Sequence, residues 1–86
     1  MAVPVDRTTL LLRLFSMQLA LEQGRRVRFE QLATRTLLDF DRDSSAFANP
    51  APMRDMLAGL GEVAWDEQNN QVLDRVEKTR QYCMTL

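Results

Sequence analysis

Histidine is absent from this 86-residue chain, and with it the commonest general base and transition-metal ligand. The single cysteine, Cys83, excludes an internal disulfide and a cysteine-based zinc site, and fits a reducing cytoplasm. Glycine is nearly as scarce, at three residues. Gly24 is isolated, while Gly59 and Gly61 close a helical stretch where a phosphate-cradling loop would open one. No apolar run approaches the about 20 residues that span a bilayer, so no membrane role is expected. The start, Met1 to Asp6, has neither the basic region nor the apolar stretch of a signal peptide, and a cytoplasmic location is expected. Neither sign of charge predominates. Eleven basic against twelve acidic side chains give a net charge of −1, without the basic excess of many nucleic-acid-binding domains.

These absences leave little catalytic chemistry. Ser16, Ser44, Ser45 and Cys83 have no histidine to activate them. The carboxylate pairs Asp66-Glu67 and Asp39/Asp41 fall in turns, where solvated charge is the ordinary state. Asp39, Asp41 and Asp43 alternate as at the opening of a calcium loop, but the glycine and glutamate that such a loop needs are missing. A non-catalytic protein is expected, with no cofactor, metal or small-molecule substrate.

What is present is helical periodicity. Asp6 suits the N-cap of a first helix from about Arg7 to Gln23, and Gly24 is placed to stop it. This helix carries two apolar stripes: Leu10, Leu14, Met17 and Leu21 on one side, Leu11, Leu12, Phe15 and Leu19 roughly opposite. An 86-residue domain has little material to cover both. Either the other elements wrap the helix on both sides, or one stripe, taken as Leu11, Leu12, Phe15 and Leu19, meets a protein partner or a second copy of the chain. The second arrangement is the expectation. Arg25, Arg26 and Arg28 follow as a basic connector around Val27, read as a short strand with Val27 inward. Phe29, Leu32, Ala33, Thr36, Leu37 and Phe40 then predict a second helix over about 29–40. Residues 41–52 are rich in Asp, Ser, Asn and Pro and predict a loop, with Phe47 pinned to the core.

The stretch 53–76 organises the remainder. Met53, Met56, Leu57 and Leu60 share one face of a short third helix, and Gly61 is expected to end it in a left-handed conformation. Val63 and Trp65 then alternate with polar or small residues, and Asn69-Asn70 suits a hairpin turn. Pairing about that turn sets Val63 opposite Val76 and Glu67 opposite Val72, with Trp65 buried against the third helix. Residues 1–6 and 77–86 are read as flexible tails. A competing reading makes Asn70 an N-cap and runs a helix through Val72, Val76 and Cys83, which gives an all-α four-helix domain without a hairpin.

Helix, short strand, helix, helix and hairpin is the element order of the winged-helix (winged helix-turn-helix) superfamily. Val27 to Ala33 resembles the strand-to-second-helix step of bacterial winged-helix regulators, and Met53 to Val63 resembles their third helix and entry to the wing. The resemblance implies a mainly α single domain over 1–86 with a small β-hairpin. It also implies a recognition helix around Arg54 and a wing tip at Asp66 to Gln71. That tip is acidic, and the link between the second and third helices is about ten residues, longer than the tight turn of a DNA-reading helix-turn-helix. Both features favour a regulator or adaptor that docks on protein, in a DNA- or RNA-related pathway. The alternatives are a sequence-specific DNA-binding transcriptional repressor contacting its target through Arg25, Arg26, Arg28, Arg35 and Arg54, and an inhibitor encoded by a phage or mobile element.

Overall fold

A computed structural model describes residues 5–86. Four helices follow one another: α1 (Arg7–Glu22), α2 (Arg26–Arg42), α3 (Pro50–Gly59) and α4 (Asn70–Met84). Each packs on the next, and α4 returns to α1, so the helices ring a single core.

The start of α1 is fixed by Asp6, whose side chain accepts the Thr9 N–H at 2.7 Å. Its end is a Schellman turn. Gly24 sits at φ 71°, its N–H reaches the Leu21 carbonyl at 3.1 Å, and the Arg25 N–H reaches Ala20 at 2.8 Å. Leu10, Leu14, Met17 and Leu21 all face the core, joined by Ala20. Of the expected N-terminal tail, residues 1–4 lie outside the described residues. Val5 is buried.

The strand expected at Arg25–Arg28 is instead the N-cap, Arg25, and the first turn of α2. Phe29, Ala33, Thr36 and Phe40 recur at i, i+4, i+7 and i+11, and the face they bury carries the helix back to Arg26. Val27 consequently points outward and is 66% exposed. Phe47 does meet the core, its ring 5.2 Å from that of Phe40. Pro50 and Pro52 occupy the first turn of α3, where a missing N–H costs nothing. Met53, Leu57 and Leu60 are buried beneath it.

Gly61 does not take the left-handed conformation expected of it. The end of α3 tightens instead through three successive short-range bonds, from Leu60, Gly61 and Glu62 to the carbonyls of Leu57, Ala58 and Gly59. The hairpin is also absent. No strand occurs among the described residues, and the architecture is the all-α four-helix alternative. Residues 61–69 form an irregular connection, and 70–84, including most of the expected tail 77–86, form α4.

The physical reason lies in spacing. Val72 and Val76 are four apart, which satisfies a strand face and a helix face equally. Thr79 and Cys83 extend the row at i+7 and i+11, which only a helix can bury on one side, and both are fully buried. The Thr79 hydroxyl satisfies itself by donating to the Arg75 carbonyl at 2.8 Å. Asn69 does adopt a positive φ of 58°, but as the N-cap of α4. The acid of the supposed wing tip serves that helix: Asp66 accepts the N–H groups of Asn70 at 2.7 Å and Gln71 at 3.2 Å. Asp66→Ala should therefore destabilise the fold by about 1–2 kcal/mol in urea denaturation, with Asp66→Asn recovering part of the loss.

Trp65, expected to be buried against the third helix, is half-buried in the connection and packs on α2. Its ring meets Phe29 edge-on at 5.5 Å, and the Arg26 guanidinium lies 4.2 Å from its centroid.

Candidate partner-docking face

With Leu10, Leu14, Met17 and Leu21 committed to the core, the 100° step of the helix turns Leu12, Phe15 and Leu19 outward on α1. They form a row at i, i+3 and i+7 and are 64%, 55% and 44% exposed. Leu11, placed with them on sequence, is half-buried at the edge of the row and packs against the core. The row is bordered by polar ties to both neighbouring helices. Toward α4, Arg80 donates to Gln18 Oε1 at 3.0 Å, and Gln18 donates to Glu22 at 3.1 Å. Toward α2, Arg13 donates to Asp39 at 2.9 Å and to the Thr36 hydroxyl at 3.4 Å. Arg35 reaches the same Asp39 carboxylate at 3.3 Å. At the far end of the row, Ser16, Leu19, Gln23, Arg25, Arg28 and Leu32 line a hollow of 180 Å³ between α1 and α2.

The five arginines assigned to an acidic partner or nucleic acid do not form one surface. Arg25 and Arg28 are exposed beside the α1 row, and neither makes a side-chain hydrogen bond or ion pair among the described residues. Arg35 stands on the same border but is tied to Asp39. Arg26 turns away toward Trp65 and pairs with Glu30 at 3.4 Å. Arg54, on the expected recognition helix, is held by Asp41 through contacts of 3.0 and 3.4 Å, 13 residues away in sequence. The spacings Arg26–Glu30 and Arg35–Asp39 are i,i+4 and were readable in advance. The Arg54–Asp41 pair was not, because it depends on how the 43–49 loop folds back. Arg13 was missed for the same reason, as its partners come from a different helix.

The acidic triplet is dispersed over three jobs: Asp39 on Arg13 and Arg35, Asp41 on Arg54, and Asp43 on the Ser45 N–H and hydroxyl. No cluster able to hold a metal ion occurs among the described residues. Cys83 is buried at the end of α4 near the Arg7 carbonyl, and burial pushes its thiol above the usual range, away from reactivity. No helix among the described residues is long and apolar enough to cross a membrane.

Burial alone would raise the Asp39 carboxyl. The hydrogen bond from Arg13 and the charges of Arg35 and Arg13 outweigh it, and the net result lies below the ordinary value of 3.8. A carboxylate depressed in the folded state stabilises the fold above its unfolded value, and that contribution is lost as pH falls through the lower folded one. Urea midpoints measured against pH should therefore drop below about pH 4, the ordinary carboxylate range. Asp39→Asn should be less stable at neutral pH and show a shallower drop.

Comparison with family models, curated proteins and solved structures finds nothing that matches this chain.

Proposed function

We propose that this chain is a non-catalytic adaptor that acts through protein contacts on the outer face of α1. The supporting observation is the row Leu12, Phe15 and Leu19, three large apolar side chains held in water on one helix of a small domain. Exposed apolar side chains scattered singly are ordinary, whereas a contiguous row marks a contact surface. Side-chain ties through Arg13 toward α2 and Arg80 toward α4 flank the row on both borders.

The repressor reading has less support. Three of its five arginines are engaged within the chain, and Arg54 on α3 is the one most firmly held. The acid assigned to a wing tip caps a helix instead.

A photo-reactive phenylalanine analogue at position 15 tests the reading in lysate of the source cells, with a control analogue at Gln81 on the exposed side of α4. Protein adducts specific to position 15 that persist after nuclease treatment are the expected result. Adducts lost on nuclease treatment, together with a salt-dependent mobility shift on DNA, would favour the repressor.

A further inference from the structure

The near-neutral net charge conceals a division. Residues 7–42, forming α1 and α2, carry seven arginines against four carboxylates, while residues 43–86 carry four cations against seven carboxylates. The basic excess is not spread evenly over the first half. It collects on the border where α2 flanks the exposed α1 row. Arg25 and Arg28 lie there at the Leu19 end, and Arg35 follows one heptad after Arg28. The Arg13–Asp39–Arg35 tie places two guanidiniums around one carboxylate at the middle of the same border. On the opposite border, Gln18 and Glu22 are occupied with Arg80 and each other.

Building on the adaptor reading, we propose that this face docks an acidic amphipathic helix of another protein. Its apolar side lies along Leu12, Phe15 and Leu19, and its carboxylates meet Arg25 and Arg28, the two arginines of this border with no partner among the described residues. The row extends over two turns, about 10 Å, which matches the ridge of one docked helix. The 180 Å³ hollow at Leu19 and Leu32 gives an anchoring side chain somewhere to enter, with Arg25 and Arg28 at its mouth. Charge at such a border selects the partner and speeds encounter, while the apolar centre supplies most of the affinity.

A second copy of this chain is a poorer occupant. An antiparallel two-fold pairing of α1 with itself sets the α2 border of each copy against that of the other, arginine toward arginine. The carboxylates of α1 and α2 that could answer them, Glu22, Glu30, Asp39 and Asp41, already accept from Gln18, Arg26, Arg13 and Arg54, and those from Asp43 onward lie beyond α2.

The test uses two designed amphipathic peptides with the same leucine stripe, one flanked by glutamates and the other by lysines. Binding is followed by the NMR signals of Leu12, Phe15 and Leu19. The glutamate peptide should shift those signals and bind roughly tenfold more tightly than the lysine peptide at low salt, a preference that fades as salt is added. Arg25→Glu with Arg28→Glu breaks no internal pair and should reverse the preference. Equal binding of both peptides at the row would overturn the acidic partner but leave the adaptor reading standing. If neither peptide moves those signals, the proposal fails, and the cross-link at position 15 decides the adaptor reading separately. Sedimentation of the wild type as a dimer that Phe15→Glu disperses would replace the proposed partner with a second copy.

Discussion

Leu14→Glu should leave the chain unfolded, while Phe15→Glu, one residue further on, should leave it folded. Leu14 is fully buried among the inward row of α1. A glutamate there either keeps its charge in a low-dielectric core or takes up a proton, and each course costs several kcal/mol. The lost packing of the leucine adds a further 2–5 kcal/mol, roughly as for truncation to alanine. A domain of this length has roughly 4–13 kcal/mol of stability in total, so the combined loss consumes most or all of it. Phe15 is 55% exposed, and its charge would remain in water. Glutamate is also the better helix former, so the net change should stay within about 1 kcal/mol. Far-UV circular dichroism with urea denaturation separates the two variants. A folded Leu14→Glu would reverse the assignment of inner and outer faces on α1. An unfolded Phe15→Glu would mean that the outer row is covered by the chain itself.

The contrast also shows what periodicity can and cannot decide. Both stripes of α1 are visible in sequence, as are Asp6 and Gly24 at its ends. Which stripe faces inward depends on where α2 and α4 lie, and that information sits elsewhere in the chain. The core register of α2 was likewise legible from Phe29, Ala33, Thr36 and Phe40, but its first turn was not. Three arginines around Val27 have no apolar period, and their helical state is imposed by the Gly24 turn before them and by Phe29 after them.

The hairpin failed for a sharper reason. Val63, Trp65, Val72 and Val76 fit alternation over a span too short to exclude a helix. The decisive residues were Thr79 and Cys83: Cys83 already supported the competing helix, but the threonine between it and Val76 is polar and does not signal a core position on its own. Asp66 looked like a solvated acid because a cap is recognisable only once the helix it serves is known. At the candidate face, Leu12, Phe15 and Leu19 were readable as a row. Leu11 was grouped with them because its half-burial at the edge depends on the neighbouring helices. The arginine border beside them required the α1–α2 pairing.

Phe29→Ala should be among the most damaging single truncations outside α1, and more damaging than Trp65→Ala. Phe29 is 1% exposed and lies in the first half of α2, where it receives the edge of Trp65 at an interplanar angle of 87°. Its removal opens a cavity beneath α2 and frees the connection that carries the Asp66 cap of α4. The first effect alone costs roughly 3–5 kcal/mol. Trp65 is the larger ring, and burial of a full indole would put it in the same range. It is only half-buried, however, and part of its contact is with the exposed Arg26 guanidinium, so about 2–3 kcal/mol is expected. Because each ring is the other's partner, the double variant should cost less than the two single losses added together. Urea denaturation followed by circular dichroism, which does not depend on the indole, gives all three values. If Trp65→Ala costs as much as Phe29→Ala, the connection is buried more deeply than this packing places it. If the losses simply add, the two rings do not support one another.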